Sequence, residues 1–258
     1  MVGILSTARQ IIRPILAKNP KLHRLARNTY ALIKSFKNPH VIKPLIRKYC
    51  IGRGLEIGAG KYPYCDPKTT LFLDKYTDNK DGTPAPDIIS DATTIPRADA
   101  CFDYVLSSHV LEHMQDTIGA LKEWVRVLKQ GGTLFLILPH GDRTFDRHRE
   151  KTTLEHHIRD HEELGDAPDY SHNEEIEIGW SKNEDFEQSR LEYEREWGAP
   201  CWDFEFRLKN GVIHFHVWTQ DEIVRLVQFL GLQIVWVAEV APERQDSFIV
   251  IARKKHRS

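Results

Sequence analysis

Between Gly54 and Pro139 short apolar runs alternate with amphipathic stripes, and this alternation restricts the fold more than any other feature of the chain. The runs are GLEIG from residue 54, TLFLDKY to Asp74 and beyond, PDIISD ending at Asp91, FDYVLSS ending at Ser107-Ser108, and TLFLILP ending at Pro139. Each has the length and composition of a strand. TLFLILP is apolar throughout, which predicts a central strand covered on both faces. Before it, Ile118, Leu121, Trp124, Val125 and Leu128 form one helical stripe, with Lys122, Glu123, Arg126 and Lys129 on the other side. Gly131-Gly132 is expected to stop that helix as its left-handed C-terminal residue. The expectation is an α/β fold: a Rossmann-like, doubly wound sheet with helices on both faces.

The rest of the chain is organised around that core. After Pro139 the pattern lapses for about seventy residues, far longer than an ordinary strand-to-helix connection. The lapse is acidic and rich in aromatics, including Tyr170, Trp180, Phe186, Tyr193, Trp197 and Trp202. A long excursion from the carboxyl end of a central strand suits a substrate lid, because ligands of such sheets bind beyond those ends. Order resumes at HFHVWTQDEIVRLVQFLG, where Thr219 and Glu222 match a capping box and Ile223, Leu226, Val227 and Leu230 form an apolar face. LQIVWVAEV and SFIVIARK close the chain. The link around Pro242 is too short for a crossover, so these strands are expected to be antiparallel. The resulting division is a basic helical arm over 1–50, a core over 51–140 and 211–255, and a lid insertion over 141–210.

Charge is distributed unevenly. Through residue 55 there are twelve Lys or Arg and no acid, so the remainder carries about −13 of a net charge of −1. Pro14, Pro20 and Pro39 break the arm into short helices. The first reading is a helical cap, solvated or packed on the acidic segment; attraction to anionic lipid or nucleic acid is the alternative. Arg9 and Arg13 interrupt the only early apolar stretch, which argues against a secretory signal, whereas an organelle transit peptide would share the arm's composition. No run reaches the length of a membrane span. Cys50, Cys65, Cys101 and Cys201 are scattered without a Cys-x-x-Cys pair, which fits a reducing cytosol.

The chemistry is concentrated at the strand ends. Gly58-Ala59-Gly60 lets backbone approach a ligand. Glu56, beneath that turn, can order its amides or meet a cationic ligand group. Asp74 ends the second strand, where an acidic residue accepts ribose hydroxyls in nucleotide folds. A nicotinamide-binding loop would add a third glycine beside a pyrophosphate, but this chain has Lys61-Tyr62-Pro63. Only about fourteen positions separate Gly60 from Asp74, so the usual first helix must be short or replaced by a Pro-bearing loop.

The ordered series LEIGAG, LFLDKY, DIISDATTIP, CFDYVLSSHVLEH and EWVRVLKQGGTLFLILP resembles the class I S-adenosylmethionine-dependent methyltransferases. The likeness is to the group with Leu-Glu-His after strand four and Arg-Val-Leu-Lys-x-Gly-Gly before strand five. The resemblance implies S-adenosylmethionine as cofactor, held by Glu56, Gly58, Ala59, Gly60, Asp74, Lys75, Asp91 and Ala92, with Ser107 and Ser108 flanking the sulfonium. The tract PHGDRTFDRHREKTTLEHHIRD more loosely resembles a bacterial subgroup that accompanies glycosyltransferases, which implies a sugar hydroxyl of a glycan, glycolipid or sugar-containing metabolite as acceptor. No Asn/Asp-Pro-Pro-aromatic tetrad follows strand four, so nucleic acid is not expected as a partner.

An alcohol acceptor needs a base, and histidine suits that task near neutral pH. His140, directly after strand five, is favoured and His109 follows it. Asp142 and Asp146 are positioning candidates, His148 a further catalytic candidate, and Arg147, Arg149, His214 and His216 substrate-binding candidates. Glu112-His113 resembles the pair that binds a divalent ion in some enzymes of this fold, joined there by a histidine from beyond strand five. Metal-assisted transfer to another small molecule, a nicotinamide-dependent oxidoreductase, a cofactor-binding subunit without catalysis and a membrane adaptor are the other readings.

Overall fold

The computed structural model describes residues 42–60, 63–76, 86–163, 169–198, 203–241 and 244–256. Seven strands form one sheet: β1 (Gly54–Ile57), β2 (Thr70–Asp74), β3 (Ile88–Ile89), β4 (Phe102–Ser108), β5 (Leu128–Pro139), β6 (Gln233–Ala238) and β7 (Ser247–Arg253). Their order is β3-β2-β1-β4-β5-β7-β6. β1 pairs in parallel with β2 and β4, and β4 in parallel with β5; β7 runs antiparallel to both β5 and β6. The order reverses between β1 and β4, and the crevice at that switch point is where an open α/β sheet receives its ligand.

Both faces are buried by period-two alternation. Leu134, Leu136, Leu138, Val250 and Ala252 enter one apolar cluster, while Phe135, Ile137, Ile249 and Ile251 enter the other. The first face is covered by α2 (Thr117–Val127) and α7 (Gln220–Phe229) through Ile118, Leu121, Trp124, Ile223, Leu226 and Val227. The second is covered by α1 (Ile42–Tyr49) through Ile42, Leu45 and Ile46. This short helix is the described part of the basic arm; residues 1–41 lie outside the described residues. The expected capping box closes the start of α7, with Thr219 N donating to Glu222 Oε2 at 2.8 Å.

One expected boundary moves. Gly131-Gly132 does not end α2, which stops at Val127 with Leu128 already extended. Gly131, at φ +74°, instead sits where β5 slips register against β4, and its N donates to Lys254 O. The helix is ended by a side chain: Lys254 Nζ donates to Val125 O and Leu128 O at 2.6 and 2.7 Å, satisfying terminal carbonyls. A double glycine reads the same in sequence whether it ends a helix or bulges a strand.

The long excursion is helical where described: α3 (Leu154–Glu163), α4 (Asn173–Ser181), α5 (Phe186–Trp197) and α6 (Phe204–Lys209). It has its own small core, in which Ile176, Trp180 and Phe204 meet Ile213 and Phe215 of the extended segment before α7. Buried Arg149 binds this unit to that segment, donating to His214 O and Phe215 O at 2.8 and 2.9 Å. No helix among the described residues is long and apolar enough to cross a membrane.

Candidate active site and cofactor cavity

The loop after β1 is built on a buried carboxylate. Glu56 Oε1 accepts from Tyr64 N and Oε2 from Cys65 N, both at 2.9 Å. Burial raises this carboxyl above its ordinary range, partly offset by those two amides. Of the two roles open to Glu56 in the sequence, ordering loop amides is the one its contacts serve. Gly58 stands at φ +69°, and a Cβ there would meet Val110 Cγ2 at 2.2 Å. Among the described residues no helix starts between Gly60 and Thr70, so this loop does not present the helix N-terminus a pyrophosphate would use. Lys61 and Tyr62 lie outside the described residues.

Gly58 opens onto a cavity of about 920 Å³ that also takes in Asp74, Lys75, Asp91 and Ala92. Asp74 Oδ1 accepts from Tyr76 N at 3.0 Å. Asp91 is braced by Lys75 Nζ at 2.8 Å and by Thr93 N and Oγ1 at 3.0 and 2.9 Å. Burial pushes the Asp91 carboxyl up, but Lys75 and Thr93 outweigh it and hold it below the usual range. Trp124 Nε1 donates to Ala92 O at 2.9 Å, tying this loop to the core face of α2.

The opposite wall begins at the end of β4. His109 adopts the left-handed region at φ +55°, uncommon for a residue with a side chain and a mark of a position fixed by its surroundings. Its Nε2 lies 2.8 Å from Ser247 Oγ, which in turn donates to Asp246 Oδ1, so Nε2 carries the hydrogen. The following turn, Leu111–His113, buries Glu112 completely, yet neither Glu112 oxygen has a hydrogen-bond partner among the described residues. Three imidazoles surround it: His109 Nδ1 at 3.3 Å but poorly aligned, His113 Nε2 at 4.0 Å, and His214, whose ring packs on His113 at 4.9 Å. Burial pushes the Glu112 carboxyl up; the imidazoles prevail and hold it at about 2.

Residues 68–136 match the model of a family described as a methyltransferase domain. Over that stretch the chain carries a methyltransferase domain. A 75-residue stretch is 37% identical to ajmaline N-methyltransferase from Rauvolfia serpentina, covering 29% of this chain and 23% of that enzyme. A chain of the complex between the Trm112 methyltransferase activator and a methyltransferase from Haloferax volcanii is 12% identical, with a TM-score of 0.51 over 90% of this chain and 96% of that one. A methyltransferase from Thermotoga maritima aligns at 16% identity and TM-score 0.46, over 89% of this chain and 95% of its own. At 12% identity the Haloferax match speaks to fold alone.

The methyltransferase domain fits the family's cofactor, S-adenosylmethionine, on two counts. Gly58 lines the cavity with bare backbone, at a position where Val110 leaves no room for a Cβ, and Asp74 presents an acidic acceptor in the same cavity where a ribose would need one. Ala59 and Gly60 do not line the cavity, and neither do Ser107, which is wholly buried, and Ser108.

The predicted acceptor residues divide sharply. His109 and His113 face the cavity, and His214 joins Glu112 and His113 in a group whose ligand atoms lie within 4.8 Å of one another. His140 lies outside the lining: its Nδ1 accepts from Asp142 N at 3.2 Å, capping a short 3₁₀ turn, and its Nε2 is 3.1 Å from Glu239. Asp142 pairs with Lys151 on the surface, and His148 is exposed. Arg147 is also exposed, 3.8 Å from Asp185, while Arg149 is a buried strut rather than a clamp. Asp146 is buried and orients His214, accepting from its Nδ1 at 2.7 Å and from Trp180 Nε1 at 2.8 Å. His214 and His216 do not share a site; His216 points into a separate cluster with Asp160. Met114, Gln115 and Asn210, which also line the cavity, carried no signal in the sequence.

Proposed function

We propose that the chain transfers a methyl group from S-adenosylmethionine to a hydroxyl of a sugar-containing small molecule, with His113 as the base. The observation that carries this reading is the fully buried Glu112 among His109, His113 and His214, with His113 on the wall of the cavity that also holds Gly58 and Asp74. S-adenosylmethionine supplies an electrophilic methyl group when bound. The chain's own residues supply the rest. Asp74 accepts ribose hydroxyls and Asp91 with Ala92 receives the adenine edge.

His113 has the tautomer a base needs. Its Nδ1 lies 2.7 Å from Ile213 O and must carry the hydrogen, which leaves the lone pair on Nε2. Burial lowers its pKa, so the ring is neutral and able to take a proton near pH 7. Glu112 then faces the imidazolium that forms. An alcohol is a weak nucleophile until its proton is taken, so a neutral imidazole on this wall suits an O–H acceptor. The loose likeness of residues 139–160 to methyltransferases that accompany glycosyltransferases supports a sugar as its carrier.

A second reading has its own observation. Glu112, His113 and His214 form a two-imidazole, one-carboxylate set, and both rings have their outer nitrogen fixed, by Ile213 O and by Asp146. That is the usual support of metal-ligating histidines. A divalent ion held there would act as a Lewis acid on the acceptor oxygen.

The test is a labelled-methyl screen over nucleotide sugars, lipid-linked oligosaccharides and small phenols, run with and without chelator. His113→Gln is expected to lower kcat by roughly 10²–10⁴-fold with unchanged S-adenosylmethionine affinity. Full turnover in that variant would remove His113 from the chemistry. On the alternative reading of the basic arm, it contacts anionic membrane peripherally. Deleting residues 1–40 is expected to abolish co-sedimentation with anionic vesicles and to spare turnover; equal sedimentation of both forms would refute it.

A further inference from the structure

A second constellation of ligating side chains lies in the helical excursion, separate from the cofactor cavity lining. His156 and Asp160 stand four residues apart on α3 and so share a face. His172 immediately precedes α4 but makes no cap hydrogen bond, its ring being turned toward α3 instead. His216 enters from the extended segment before α7. Asp160 Oδ2 lies 2.9 Å from His216 Nε2 and 3.2 Å from His156 Nε2, which is 3.5 Å from His172 Nε2. The four ligand atoms all fall within 4.8 Å of one another. The edges of a zinc tetrahedron with bonds of about 2.0–2.1 Å are about 3.4 Å, so the shorter contacts already bracket that spacing.

We propose that His156, Asp160, His172 and His216 bind one zinc-type divalent ion that pins the helical excursion to the wall of the active-site cavity. Three neutral imidazoles and a carboxylate form a closed four-ligand set typical of a structural site. The outer shell agrees. Thr117 Oγ1 lies 3.1 Å from His216 Nδ1, and Glu175 Oε2 lies 3.6 Å from His172 Nδ1, each an acceptor for the hydrogen that a ligating ring must carry there. Asp169 Oδ2 is buried 3.3 Å from His172 Nε2 and takes no hydrogen bond among the described residues. Asp160, against His156 and His216, and Asp169, against His172, each bring a buried carboxylate to the imidazole cluster, and among the described residues no lysine or arginine pairs with either. A doubly charged cation is the natural counterion. One contact must change: Arg159 Nη2, 3.0 Å from His156 Nδ1, belongs to an exposed side chain and turns to solvent when that nitrogen is protonated.

The tie has a structural consequence. His216 shares its extended segment with Ile213 and Phe215, which line the cofactor cavity, and with His214 of the Glu112 group. Holding His216 against α3 and the start of α4 fixes that wall relative to the sheet.

The full chain, purified after expression with added zinc and dialysed exhaustively, is assayed for metal by mass spectrometry. The parent is expected to retain an equivalent that His172→Gln and Asp160→Asn each lose and His214→Gln keeps. Removing the metal by chelator should lower the parent's melting temperature, and adding zinc back should restore it. A parent without bound zinc, or folded His172→Gln and Asp160→Asn proteins that hold as much as the parent, would overturn the assignment. Should those variants not fold, X-ray absorption on the zinc-loaded His214→Gln protein decides. Three imidazoles with one carboxylate support the site, and fewer imidazoles refute it.

Discussion

Gly58 is the residue on which the cofactor reading leans most heavily, because two independent constraints meet there. Its φ of +69° strains any L side chain, and a Cβ would come within 2.2 Å of Val110. Gly58→Ala is therefore expected to destabilise the fold by at least ~1 kcal/mol and to weaken S-adenosylmethionine binding, read by thermal melting and calorimetry. His140 behaves differently. Its role is to cap the 3₁₀ turn after β5 by accepting from Asp142 N, so His140→Ala should cost about 0.5–2 kcal/mol in stability with little change in kcat. A large drop in kcat at unchanged stability would return His140 to the chemistry. Position after a strand places a histidine at the correct end of a sheet, but which way its ring points is fixed by neighbours such as Glu239, a hundred residues further on.

At the scale of elements, α2 and the loop over 91–100 act as one body. Glu123 Oε1 accepts from Ile95 N at 2.7 Å, and Arg126 pairs with Glu123 while donating to Ile95 O and Arg97 O. The Arg126 hydrogen bond lowers the pKa of Glu123 against a smaller opposing effect of burial. A carboxylate with a depressed folded pKa contributes stability above its unfolded pKa, and that contribution is lost as pH falls through the folded value. Glu123→Gln should therefore be less stable than the parent by roughly 1–2 kcal/mol at pH 7, with the gap closing below about pH 4 in denaturant titrations. A gap independent of pH would mean that the pair contributes through packing alone. The stripe of α2 and the loss of a regular helix after Gly60 were both legible, since each follows from local spacing. The stop of α2 was not, because Lys254, which caps it, arrives from the far end of the chain.

The whole molecule assembles its chemistry over long separations. The sheet, its antiparallel closing pair and the acidic strand ends could be read from the sequence because strand composition and connection length are local properties. The Glu112 group could be read only in part: Glu112-His113 stands out as a dipeptide, whereas His214 reaches it because Phe215 N donates to Glu112 O and Asp146 orients the ring. The His156 cluster draws on three elements and shows in sequence only as scattered histidines.

The methyl-transfer reading presupposes a cofactor cavity at the β1/β4 switch point, with Asp74 as its ribose acceptor. Isothermal titration of the full chain with S-adenosylmethionine, alongside Asp74→Asn, tests this most directly. One-to-one binding by the parent, weakened at least tenfold in a folded Asp74→Asn variant, is the predicted result. No binding by the parent, or equal affinity in the variant, would contradict the account.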